Sequence, residues 1–175
     1  MKKIYLGWML LIGCTFTSYA QENEEKVTGQ NTFYAELGGP GILFSANYDR
    51  RFTNSHLGFG GRVGIGFVSD DLYDNINFTS VPRSIITVPV QLNYLFGKQE
   101  SVHTFEVGAG VTYLGQKTDV LDFNSDQQTQ WFGTASFMYR RQPKNGGFSW
   151  RGGLTPLIAK GYIQPFVGFS IGYVF

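Results

Sequence analysis

The sequence has little of what most chemistry-bearing domains rely on: among its 175 residues are one cysteine, two histidines and only 15% charged residues. Soluble domains carry roughly 25% charge. A lone cysteine excludes an intrachain disulfide framework and a Cys-based zinc site. Lys and Arg number 14 against 13 Asp and Glu, a net charge of +1. With no lysine-rich block either, nothing attracts a phosphate backbone, and no nucleic-acid partner is expected. No window has the GxGxxG pattern or the Walker spacing followed by Lys-Ser/Thr. The one continuous apolar run, Ile4 to Phe16, spans 13 residues. A membrane-crossing helix needs about 20.

That run reads instead as the core of a targeting segment. Lys2 and Lys3 precede it, and Ser18-Tyr19-Ala20 puts small residues at the −3 and −1 positions of a cleavage site before Gln21. Residues 1–20 are read as a signal peptide and 21–30, with Glu22, Glu24 and Glu25, as a short flexible lead-in. A second reading remains: Leu11-Ile12-Gly13-Cys14 has the form of a lipobox, with Cys14 as a lipidation site, although cleavage there leaves an unusually short signal. If cleavage follows Ala20, the exported chain has no cysteine, and without Lys2 and Lys3 its 14 basic residues become 12 against 13 acidic.

Aromatics make up 17% of the chain and glycines number 23. Beyond the lead-in, hydrophobicity alternates with period two and shows no sustained helical period. Eight segments of this kind lie near 32–39, 42–52, 57–68, 85–96, 103–114, 129–141, 148–156 and 163–175. About ten residues tilted at about 45° cross a membrane as a β-strand. One face is apolar, running from Phe33, Ala35 and Leu37 through Leu57, Phe59 and Val63 to Ile171 and Tyr173, with Arg50 and Arg141 as its only charges, both at strand ends. The other face is polar or small, and it carries Glu36, Asp49, Arg62, Glu106, Arg140 and Arg151.

Alternation alone cannot separate a soluble barrel with an aromatic interior from an inverted barrel in lipid. Two patterns favour the inverted one. If the chain starts at the periplasmic side, every strand places an aromatic of the apolar face at that end, from Phe33 and Tyr48 to Trp150 and Tyr173, as an interfacial girdle requires. The connections after segments two, four and six are tight, whereas those after three and five, roughly 69–84 and 115–128, read as long external loops. Those after one and seven are short, so this contrast is half expressed.

The terminal stretch FVGFSIGYVF, with Val167, Phe169, Ile171, Tyr173 and Phe175 on one face, looks like the C-terminal signature by which outer-membrane barrels are recognised for insertion. With the signal segment and the stretches VPVQLNYLFG and FEVGAGVTYL, it resembles the small outer-membrane β-barrel family of OmpX/OmpA-like proteins. The resemblance covers essentially all of 31–175 and rests on the repetition of the pattern more than on any one motif. It implies an all-β, eight-stranded antiparallel up-and-down transmembrane barrel in the outer membrane of a Gram-negative cell, monomeric, among outer-membrane lipid and lipopolysaccharide and inserted by the barrel-assembly machinery. It implies no shared activity.

The candidate site is therefore the lumen. An eight-stranded barrel is about filled by its own side chains. Glu36, Asp49 and Glu106 face Arg62, Arg140 and Arg151, with Arg51 near the rim. Buried charges must pair, so a salt-bridged plug is expected, with Glu106 beside Arg140 and Glu36 reaching Arg62 or Arg151. A narrow polar pore is the alternative. The inward glycines read as sites of bending and close packing. No catalytic residue is expected: His56 and His103 lie in the second and fourth connections, as interfacial or solvated side chains. Acids gather at Asp70, Asp71 and Asp74 and at Asp119, Asp122 and Asp126. Gln127 and Gly133 stand where a calcium loop needs its turn glycine and closing glutamate, so no metal or cofactor is expected. The reading is a closed barrel with a structural, adhesion or surface-recognition role. Its rivals are a narrow channel or apolar-solute transporter, and a soluble periplasmic lipocalin-like carrier.

Overall fold

A computed structural model describes residues 29–74, 79–118, 129–159 and 162–175. The proposed signal segment and lead-in lie outside these residues, except for Gly29 and Gln30. So does the second acidic group, Asp119, Asp122 and Asp126.

The strands are β1 (Asn31–Gly38), β2 (Phe44–Arg51), β3 (Gly58–Asp74), β4 (Thr79–Gly97), β5 (His103–Thr118), β6 (Thr129–Arg141), β7 (Gly147–Leu154), β8 (Leu157–Ala159), β9 (Tyr162–Gln164) and β10 (Val167–Val174). Every pairing is antiparallel; apart from β6 with β8 and β7 with β10, each joins chain neighbours, and β1 also pairs with β10, from Thr32 opposite Val174 to Gly38 opposite Gly168. The sheet thus closes on itself.

Ten segments make eight staves. β8 continues β7 against β6 in unchanged register, with Phe137 opposite Leu154 and Thr134 opposite Leu157. The Ala135 N–H donates to the Pro156 carbonyl between them at 3.0 Å. β9 and β10 likewise share one register against β8 and β7, bridged where the Thr155 N–H donates to the Phe166 carbonyl at 2.8 Å. The interruptions fall at Pro156 and Pro165, which lack the N–H that a ladder needs.

Three expectations about the connections change. Residues 69–84, read as a long loop, are mostly strand: β3 runs to Asp74 and β4 starts at Thr79, in register from Ser69 opposite Ser84 to Asp74 opposite Thr79. Asp70, Asp71 and Asp74 therefore stand on a strand. β5 also runs on to Thr118, beyond a register shift after Tyr113. The seventh connection is the β8–β9 hairpin. Polar residues ended the alternation in the sequence, but backbone pairing does not depend on hydrophobic side chains once a stave is started.

The two faces separate as the period-two pattern requires. Phe33, Ile65, Leu92, Phe137, Phe169 and Tyr173 are among the large apolar side chains turned outward, each at least half exposed. A carrier with its aromatic face inside would have the reverse. Near the end that holds Asn31 and Phe175, outward rings touch from strand to strand: Phe96 and Phe105 at 5.9 Å between centroids, Phe105 and Tyr139 at 5.7 Å, Tyr139 and Trp150 at 5.3 Å. Leu57 departs from the pattern. Expected on the apolar outer face, it is 8% exposed, because it sits in the turn before β3 and not on a strand.

Candidate functional site

The lumen is built from the inward half of each strand, and it has three layers. The one nearest the chain ends is ionic. Glu36, Asp49, Glu106, Arg51, Arg62, Arg140 and Arg151 are each no more than 3% exposed. Arg140 donates through Nη1 to Glu106 Oε2 at 3.0 Å and to Asp49 Oδ2 at 3.4 Å, and through Nη2 to Thr32 Oγ1 at 2.8 Å. Arg151 donates to Glu106 Oε1 at 2.7 Å and to Glu36 Oε1 at 2.8 Å, with Nε on Ser170 Oγ at 2.9 Å. Arg62 reaches Glu36 Oε1 through Nη1 at 3.3 Å. All six lumen residues singled out in the sequence are in this one network.

Arg51, expected near the rim, is fully inside. Its Nη2 donates to Asp49 and Asn93, and its Nη1 to the Gly58 carbonyl at 3.1 Å. Gly60 makes this possible, since a Cβ there would lie 2.2 Å from the Arg51 guanidinium carbon. Two other members were not legible. Tyr34 accepts from Arg62 Nη1 at 3.0 Å and from Arg151 Nη2 at 2.6 Å, and the Arg151 guanidinium lies 4.1 Å from its ring centroid. Tyr34 stands two residues before Glu36, so parity alone assigns it inward, but an uncharged ring does not mark it as a partner of the lumen charges. Thr32 follows by the same parity.

The middle layer is backbone. The turn between β1 and β2, Gly39–Gly41, is a buried 3₁₀ turn folded into the lumen. Thr112 Oγ1 donates to the Pro40 carbonyl at 2.8 Å, and Thr87 Oγ1 to the Gly41 carbonyl at 3.1 Å. Gly39 adopts φ +68°, and a Cβ on it would sit 2.7 Å from the Glu36 carboxyl carbon, so the turn caps the ionic layer directly. Ile42 leaves the turn at φ 75°, an outlier for a β-branched residue. Its N–H donates to the Gly39 carbonyl at 3.0 Å, and its side chain packs into the layer above.

The third layer corrects the reading of the inner face as polar or small. Val68, Ile85, Leu114, Phe132, Leu157 and Ala159 form an apolar cluster at the end away from the chain termini, with Ile42 and Phe166 against it. Among residues whose burial is described, even-numbered positions of β3 and β6 and odd-numbered positions of β4 up to Leu95 and of β8 turn inward. These residues share the parity of the inner face, but an inner face read from its polar and small members alone leaves them unplaced.

At the opposite end the histidines differ from expectation and from each other. His56 is 3% exposed, and Gln142 donates to its carbonyl at 3.4 Å. Burial, aided by the nearby Lys144 charge, holds its imidazole below the ordinary value of 6.5, so it is neutral at pH 7. His103 is exposed, stacked on Tyr139 at 5.8 Å and hydrogen-bonded to its hydroxyl. No group of three His, Cys, Asp or Glu with metal-binding geometry occurs among the described residues. Phe175 closes the barrel through backbone bonds with Asn31 at 2.8 and 3.0 Å, and Val167, Phe169, Ile171 and Tyr173 face outward.

No protein-family model matches the chain, and no curated protein is similar to it. Among solved structures it is similar to the N-terminal β-barrel domain of OprF from Pseudomonas aeruginosa, with a TM-score of 0.55 and 12% sequence identity, covering 85% of this chain and 99% of that one. What the two have in common is the closed, eight-stranded antiparallel β-barrel fold.

Proposed function

We propose that this protein is a monomeric integral outer-membrane barrel, closed to ions and without enzymatic activity, whose role is structural or lies in surface recognition by the hairpins at the end away from the termini. The observation that carries the reading is the outer surface. Between strand ends, described outward positions hold large exposed apolar side chains and no charged residue, over an area far beyond the few hundred Å² that soluble monomers expose. Lipid is the solvent such a surface fits, and a closed barrel is one of two backbones that satisfy their hydrogen bonds there. The likeness to the OprF barrel supports the same reading. Lipopolysaccharide and the barrel-assembly machinery are the partners that follow from it.

Closure rests on the three lumen layers. A pore would need the ionic network, the Gly39–Gly41 turn and the apolar cluster all to part, and each is tied to strands on several sides.

The test is fractionation of cells producing the full chain. The protein should stay with membranes through a salt wash, leave only with detergent, and change gel mobility on heating. In planar bilayers the purified barrel should show no ohmic steps. Release by salt would overturn the membrane reading, and steady conductance would overturn closure.

A further inference from the structure

Described lumen charges do not balance: Glu36, Asp49 and Glu106 face Arg51, Arg62, Arg140 and Arg151. Guanidinium groups keep their proton in proteins, so the surplus is cationic. It falls on Arg62. Arg151 uses all three of its nitrogens in hydrogen bonds, and Arg140 and Arg51 use two each. Arg62 uses Nη1 alone, at 3.3 and 3.5 Å from a Glu36 carboxylate that Arg151 holds at 2.8 Å.

Its Nε and Nη2 have no partner although the residue is 3% exposed. These two N–H groups form one edge of the planar fork, the edge that grips anions side-on. Directly opposite Arg62 on β4 stands Gln91. Gln91 is also buried, its Oε1 accepts from Ser136 Oγ at 3.3 Å, and its Nε2 donates to nothing. Water could satisfy these donors but would leave the surplus charge, and an uncompensated charge in a narrow, poorly hydrated space is costly.

We propose that the Arg62 Nε–Nη2 edge, together with the Gln91 amide, is an internal site for a small monovalent anion of halide size. One such ion cancels the surplus. The ionic layer is then a neutral assembly of four guanidinium groups, three carboxylates and one bound anion, and the site is independent of whether the barrel conducts.

The probe is the folded full chain in detergent, with chloride or bromide replacing gluconate at constant ionic strength. The Arg62 Nε–H resonance should shift saturably with chloride, and crystals grown in bromide should show an anomalous peak within hydrogen-bond reach of Arg62 Nε and Nη2. Well above the dissociation constant, a tenfold rise in chloride should raise the folded-to-unfolded ratio by about tenfold, a dependence that Arg62→Met should abolish. A resonance that ignores chloride, with no bromide peak in well-ordered crystals, would overturn the proposal and leave water on the edge. The native chain alone decides this if Arg62→Met fails to fold.

Discussion

At the scale of the residue, the energetics of the lumen turn on shared carboxylates. Glu106 takes Arg140 on one oxygen at 3.0 Å and Arg151 on the other at 2.7 Å. Glu106→Gln keeps the shape and removes the charge, leaving two guanidinium groups with weakened compensation. Breaking one side of a buried ion pair costs about 3–5 kcal/mol. We expect a loss at the lower end, about 3 kcal/mol, because Asp49 and Glu36 still face the two arginines, and urea unfolding in lipid vesicles measures it. A loss within measurement error would mean that this ionic layer is solvated. The acids and arginines were legible because a charge on the polar parity of a strand whose alternate positions are apolar can only face inward in lipid. Tyr34 was less legible: parity with Glu36 turns it inward, but only its hydrogen bonds to Arg62 and Arg151 make it a member of the network.

At the scale of the element, the β1–β2 connection is the least predictable segment. A seven-residue stretch, Gly38 to Phe44, reads as a short turn, with three glycines and a proline in its first four residues. Its inward fold depends on hydroxyls from distant strands, Thr87 on β4 and Thr112 on β5, which hold its carbonyls in the lumen. Thr87→Val with Thr112→Val keeps the volume and leaves the Pro40 and Gly41 carbonyls without donors. An unmet buried polar group costs about 1–3 kcal/mol. The double variant should lose about 2–4 kcal/mol in urea unfolding, and the Ile42 amide, bonded to Gly39, should exchange faster than in the native chain. Unchanged exchange at Ile42 would show that the glycines and proline alone hold the turn. The strands were better legible than their ends: β6 runs over 129–141 as the alternation suggests, while β3 and β4 run past their apolar stretches, since pairing with a neighbour extends a hairpin through polar residues.

At the scale of the whole molecule, the outer face behaves as one surface, so the cost of a charge on it depends on depth. Ile65 is 60% exposed midway along the apolar part of β3, whereas Phe59 lies in the aromatic girdle, 4.8 Å from the Tyr94 ring. In a lipid-facing band, arginine costs about 2–4 kcal/mol at the midplane and about 0–1 kcal/mol near the interface. Ile65→Arg should therefore destabilise the barrel in vesicles by about 3 kcal/mol, and Phe59→Arg should show a smaller charge penalty once its lost ring contact is subtracted with Phe59→Ala. Equal charge penalties at the two depths would argue against a bilayer around this surface.

The sequence by itself determined the class of fold and the side on which most residues stand, because strand geometry puts alternate residues on opposite faces whatever the rest of the chain does. It determined that the charges inside must meet opposite charges. Only the tertiary structure decided which ones meet: Glu36 and Arg151 are joined across 115 residues at 2.8 Å, a neighbourhood set by closure and strand tilt that no local pattern encodes. The same is true of the turn folded into the lumen, and of the unmatched edge of Arg62. Both arise from how eight staves share one narrow interior.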